Sequence, residues 1–409
     1  MSKQEQKSVT FEFINVLRYP MMVFVVVHHC FFTIEGWHWD QLPTQSLGSN
    51  VVAEALLFSR LLFSSLIQFF YLISGYLFFI HLDDWDFKVW KRKMMRRVRS
   101  LLIPYLLWNT LYILYLIGPE LADCLFHGQS YESIVAWISA HGGLRGLYWD
   151  GRVFNPEAVD MWGNPASSRN PILLPFYYIR NLLVLSILTP LFYCLLHSRG
   201  KRYAPLAVAT IGILAFLFVT KTSFVLSGFS SEGFFFFGLG AFFSLNGIDL
   251  SEFFYAKRKL IGIVTCCLLM VELHYGFLLS DEGRSLHPFY MLFELMTVLN
   301  CTSWLLKRSN GNRLFAFLRH ALTRWQGTSF MIYALHAFLI LDVTYFVNQL
   351  CVVLTGFYSM RMMEVATSYP CLVLLLFALK VFLVVSLCML ASILLQKFLP
   401  RLHQVLCGR

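Results

Sequence analysis

Phe69-Phe70-Tyr71-Leu72-Ile73-Ser74-Gly75-Tyr76-Leu77 is followed by seven Lys and Arg residues between Lys88 and Arg99, and then by Leu101-Leu102-Ile103-Pro104-Tyr105. A basic hairpin between two apolar spans of about twenty residues reads as a cytoplasmic loop of a polytopic membrane protein, because moving that charge through hydrocarbon is unfavourable. The rest of the chain agrees. Of 409 residues, 57% are hydrophobic, 17% aromatic and only 14% charged, which is more apolar surface than a soluble core can bury. Lipid must cover the remainder.

Working outward, stretches long enough to cross about 30 Å of hydrocarbon fall near residues 11–33, 52–80, 101–118, 171–196, 204–220, 231–247, 260–279, 288–306, 326–350 and 369–396. The expectation is an all-α fold of ten membrane helices in a single domain over 1–409, with no soluble extracellular domain. With a cytoplasmic N-terminus, the inner segments hold 23 Lys and Arg residues and the outer loops 6, so both termini are expected inside. Lys3 and Lys7 precede an apolar run as in a signal peptide, but Arg18 interrupts the run and no small-residue cleavage site follows; the run reads as a retained first helix.

The net charge of +10 does not indicate nucleic acid, because the positive residues lie in short loops, where orientation and anionic headgroups account for them. The ten cysteines form no CxxC pair and mostly sit in apolar runs, so neither a metal site nor a disulfide framework is expected. The long outer segment, roughly 119–170, reads either as an interfacial loop with its tryptophans at headgroup level or as a cap over a site.

Four basic residues, Arg18, Arg60, Arg180 and Lys380, fall inside spans, where a charge needs a partner or a wet cavity. Arg18 and His29 are eleven residues apart, which is three helical turns plus about 20°, so they share a face with an axial separation of ~16 Å. The arginine then lies toward the cytoplasmic third and the histidine toward the outer third, while His28 points about 100° away. An intramembrane Arg and His on one face point to a functional pair, the other reading being a structural clasp.

Ser74-Gly75 lies at about the depth of Arg18 and reads either as a close-packing contact or as a place where a ligand chain passes near the backbone. Arg96 and Arg99, one turn apart, form either an anion clamp or a membrane anchor. Arg180 faces either a cavity near His29 or a carboxylate such as Glu232, Glu272 or Glu54. His336, near mid-membrane on a span that also carries Asp342, is either a site residue or bundle glue.

Taken together these segments resemble the membrane-integral acyltransferase-3 family, the bacterial enzymes that O-acylate cell-surface carbohydrate from cytoplasmic acyl-coenzyme A. The resemblance rests on Arg18 with ten residues before His29, Phe70 to Leu77, Arg96-Arg97-Val98-Arg99 through Pro104-Tyr105, Phe176 to Leu182, and Ser329 to His336, in that order. It departs from the usual pattern at Met21, where many members have a small residue, and in the doubled His28-His29.

The resemblance implies that His29 is catalytic, that Arg18, Arg96 and Arg99 help bind the donor, and that Ser74 and Gly75 line the donor path. Acetyl-coenzyme A is then the donor substrate, with no tightly bound cofactor, and the acceptor is a surface glycan or lipid-linked sugar. The setting is a bacterial plasma (inner) membrane. His29 as neutral imidazole would act as general base on a sugar hydroxyl, with Arg180, Tyr333 or His336 supplying an oxyanion donor or acceptor contact. Phe24, Phe31 and Phe32 suggest a tight acyl pocket that favours acetyl over succinyl. The rival class is a transporter or flippase of a lipid-linked sugar, although the chain lacks the related halves that transporters frequently show. An acceptor other than a glycan, such as a small molecule, is also open.

Overall fold

The computed structural model describes residues 3–32, 55, 58, 61–62, 65–80, 82, 85–155, 157, 170–197, 204–220, 227–275, 281–356 and 368–409. Among the described residues every regular element is a helix. Among the described residues, five helical segments are long and apolar enough to cross a membrane: Glu12–Cys30, Phe87–His127, Ser285–Ser309, Arg313–Thr355 and Pro370–Phe398. A sixth is reached if Leu174–Ile187 and Thr189–Leu196, bent by 59°, count as one span. α2 (Leu66–Phe79), Ala204–Val219 and Ser231–Leu245 are apolar but shorter. The helix Arg258–Tyr275 occupies the seventh expected span and carries Arg258, Lys259 and Glu272.

Two sequence expectations change. The basic connection is not a hairpin loop: α3 (Phe87–Arg97) starts with Asp86 accepting from the Val89 amide at 2.6 Å, and runs through a π turn, Val98–Leu102, into α4 (Ile103–His127) without a break. Pro104, which has no N–H to donate, sits just after the π turn, where the helix's regular bonding is already interrupted. Nor is 119–170 a loop throughout. α4 continues past Pro119 to His127 and ends on Gly128, whose φ of 67° is the left-handed cap that glycine adopts without strain. Glu132–Ala140 and Gly151–Phe154 are helical as well. Hydropathy windows miss such features because a helix does not stop where its apolar stretch does.

The chain forms two compact units, one of Met1–Ile73, Phe218–Thr220 and Asn246–Leu394, the other of Ser74–Leu217, Lys221–Leu245 and Leu395–Arg409. In the first, α1 (Lys3–Phe32) packs on the helices Asp281–Ser309, Arg313–Arg324 and Ser329–Thr355. Arg319 Nη1 reaches Glu12 Oε1 at 2.7 Å and ties the start of the α1 span to that bundle. Pro370–Phe398 lies antiparallel to α1: the Tyr19 hydroxyl donates to Met389 Sδ at 3.3 Å, and Lys380 Nζ donates to the Cys30 carbonyl at 3.0 Å.

In the second unit, α3 packs against the helix Tyr177–Ile187, and Thr189–Leu196 against Ser231–Leu245. The C-terminal helix Pro400–Leu406 sits on α4, where the Trp108 indole donates to the Leu406 carbonyl at 3.0 Å.

Candidate active site

In the first unit, the last turn of α1 carries His29, and the helix Ser329–Thr355 carries His336 two turns from its start. The two imidazole centroids are 5.0 Å apart with their planes at 45°. Counting residues from span edges puts His29 nearer the outside than His336, yet the two rings are in contact.

His336 is 1% exposed, and its Nδ1 lies 3.1 Å from the Ile332 carbonyl. A carbonyl oxygen only accepts, so Nδ1 carries the proton and Nε2 presents its lone pair. Among the described residues that buried Nε2 has no hydrogen-bond partner. Tyr333, one turn before, is also buried, with its ring 6.3 Å from that of His336. The His28 ring meets His29 edge-on at 5.9 Å.

Lys380 completes this corner. Its side chain is 2% exposed, and the Cys30 carbonyl it binds is one of the last four of α1, which have no donor within the helix. A cation there also suits the negative end of the helix dipole. Lys380 therefore holds the turn that bears His29, a role that its place inside an apolar span signalled only as a charge in need of a partner.

Arg18 sits two residues before Pro20 on α1 with an exposed side chain, whereas His29 is half-buried. A cavity of about 300 Å³ opens beside other positions of α1, lined by Leu17, Met21, Phe24, Ser65 and Glu294. Neither Arg18 nor His29 lines it. Phe24 thus borders this cavity, while the side chains of Phe31 and Phe32 lie outside the described residues, as do Arg60, Glu35 and Glu54. Of the carboxylates named above for Arg180, Glu272 is fully buried 3.6 Å from His287 in the first unit, and Glu232 belongs to the second.

The second unit holds the expected donor residues. Along α3 and the π turn, Val89, Trp90, Lys93, Met94, Arg97 and Val98 form a half-buried stripe, whereas Lys88, Lys91, Arg92, Met95, Arg96 and Arg99 are exposed. Arg96 and Arg99 therefore share the open face. Lys93 and Arg97 turn the other way: Lys93 donates to the Phe78 carbonyl, and both cations lie over the Phe78 ring, at 5.2 and 5.6 Å. Ser74 Oγ is 3.2 Å from the Tyr178 hydroxyl.

Arg97 was absent from the sequence candidates. Its signal was the spacing of Trp90, Met94 and Arg97, which places it on the apolar stripe of the helix. Gly75 lies against the Phe237 backbone, where an added Cβ would overlap the Phe237 carbonyl oxygen.

Arg180 is buried, donates to the Trp149 carbonyl at 2.6 Å and to Asn181 Oδ1 at 3.2 and 3.3 Å, and lies 5.5 Å from the Trp149 ring. Next to Trp149, the fully buried Asp150 accepts from Ser227 and from the Arg152 amide. These contacts tie Arg180 to the segment after α4. The arrangement in the two units thus comprises an imidazole pair with a lysine cap in one, and a basic helix with an open and a packed face in the other.

Comparison with known proteins adds the chemistry. The profile described as Acyl_transf_3, acyltransferase domain, matches residues 11–396. The chain is 29% identical over 184 residues to the succinoglycan biosynthesis protein ExoH of Rhizobium meliloti (strain 1021), covering 44% of this chain and 40% of that protein. It therefore spans well under two thirds of that relative's length. No solved structure matches.

Proposed function

Because the chain belongs to the acyltransferase-3 family, matched over residues 11–396, we propose that it moves an acyl group, acetyl in the first instance, from a coenzyme A thioester to a hydroxyl of a glycan or lipid-linked sugar. The observation that carries the reading is the imidazole of His29 on α1, paired at 5.0 Å with that of His336 inside an apolar bundle. A buried and a half-buried imidazole in contact are an expensive way to pack helices and a ready means of moving a proton. The relative's role in succinoglycan biosynthesis supports a glycan acceptor.

His29 takes the proton of the acceptor hydroxyl as its oxygen attacks the thioester carbon. The tetrahedral adduct collapses with cleavage of the C–S bond, and the departing thiolate takes the proton back from the His29 imidazolium. Direct transfer is favoured over an acyl-histidine intermediate, since the latter is exposed to attack by water. Tyr333, beside His336, is the candidate donor to the oxyanion within the same unit.

The donor is drawn to Arg96 and Arg99, whose exposed guanidinium groups suit the phosphates of the coenzyme's nucleotide. On this reading the chain crosses a bacterial plasma membrane ten times with both termini cytoplasmic, an orientation that the distribution of Lys and Arg favours, and the basic face lies on the side where acyl-coenzyme A is made.

Titrating purified protein in detergent with a non-hydrolysable acetyl-coenzyme A analogue tests the donor assignment. Arg96→Gln combined with Arg99→Gln is expected to raise the Kd about 10-fold or more while wild-type binding weakens with added salt. Unchanged affinity in the double variant removes the pair from the donor site, and absence of binding by folded wild type counts against a coenzyme A donor.

A further inference from the structure

We infer that His336 is the residue that positions His29, with its Nε2 lone pair accepting the N–H of the His29 ring, so that a second imidazole fills the place a carboxylate holds in hydrolytic triads. The inference rests on the acyl-transfer reading for its catalytic half and on geometry alone for its structural half. The Ile332 carbonyl, 3.1 Å from Nδ1, fixes the His336 tautomer and leaves Nε2 as an acceptor. That atom is buried and accepts no hydrogen bond among the described residues, His29 included, but with the ring centroids 5.0 Å apart a turn of the His29 ring brings one of its nitrogens within reach. A buried acceptor is costly unless a donor reaches it, and the adjacent ring carries one.

The arrangement has a physical advantage at this depth. A carboxylate beside His29 would carry a full charge into the apolar bundle before any substrate arrived. A neutral imidazole carries none, yet its lone pair strengthens the hydrogen bond at the moment His29 becomes an imidazolium. With one His29 nitrogen held by His336, the other presents its lone pair to the acceptor hydroxyl, as a general base requires. Lys380, bound to the Cys30 carbonyl at 3.0 Å, fixes the backbone of the same turn.

The test combines ring-nitrogen NMR of histidine-labelled protein, with His29 assigned by its loss in His29→Gln, and steady-state transfer kinetics. In wild type His29 is expected in a single tautomer. In His336→Leu that preference is lost, and kcat falls about 100-fold with the donor KM unchanged. In His336→Gln, whose amide oxygen occupies the Nε2 position, both recover to within about fivefold of wild type in rate.

If the leucine variant does not fold, His336→Asn, whose amide reaches only the Nδ1 position, takes its place. An unchanged His29 tautomer in the substituted protein overturns the inference, whatever the rate. A changed tautomer with unchanged kcat overturns its role in the reaction. Failure of wild type to transfer any acyl group would instead overturn the proposed function, and the tautomer measurement would still decide whether His336 holds His29.

Discussion

His29→Ala is expected to reduce acyl transfer at least about 1,000-fold while leaving the protein folded, the donor affinity within a few-fold of wild type, and His28→Ala near wild-type rate. The size follows from removing the only group assigned to take the acceptor's proton: general-base contributions run from 10² to 10⁴. The tolerance follows from position. His29 is half-buried on the last turn of α1, so removing its ring opens no sealed core cavity, and the helix itself stays held by Arg319–Glu12 and Lys380–Cys30. Turnover with and without glycan, measured beside thermal melting, reads both halves. A His29→Ala protein that transfers at wild-type rate takes the base away from His29, and His28, whose ring lies 5.9 Å away, becomes the next candidate.

Gly75→Ala is expected to have the largest effect on stability. The new Cβ would overlap the Phe237 carbonyl oxygen, and a helix backbone cannot yield as a side-chain tip can. The cost is set by moving the turn at Gly75 away from the Phe237 backbone, about 3 kcal/mol. Gly118→Ala is the internal control: nothing lies within 4 Å of its added Cβ, and it replaces a glycine inside α4, so it should stabilise by up to ~1 kcal/mol. Melting temperatures in detergent compare the two. Equal melting temperatures would show that the Phe237 carbonyl yields to a side chain at position 75. A Gly75→Ala protein that melts like wild type but has lost donor affinity would favour a ligand path along this glycine over a packing contact.

The class of the protein was legible in the sequence because composition and charge placement are direct consequences of lipid as solvent. The helix that carries both Arg18 and His29 was legible too, because helical periodicity is local. The continuity of α3 with α4 was not. Hydropathy reports where the lipid is, whereas a helix such as Phe87–His127 extends wherever capping and backbone bonding allow.

The contact between His29 and His336 joins residues more than three hundred positions apart and depends on how α1 packs on Ser329–Thr355, which residue counting from span edges does not report. The orientation of the basic helix falls between these cases. Trp90, Met94 and Arg97 carried the stripe, but the Arg-x-x-Arg spacing drew attention to the exposed pair first. Arg180 was marked by its burial in a span, and its ties to Trp149 and Asn181 come from a segment that hydropathy treated as loop.

The measurement that bears most directly on the account follows label from acetyl-coenzyme A, radiolabelled in the acetyl group, into envelope glycan, using purified protein in liposomes and scoring coenzyme A released. The account predicts one coenzyme A released per acetyl found on glycan oxygen, dependent on the acceptor and lost in His29→Ala. Label carried instead only from succinyl-coenzyme A would change the acyl group and keep the mechanism. No transfer from either thioester by folded protein supplied with glycan would contradict it.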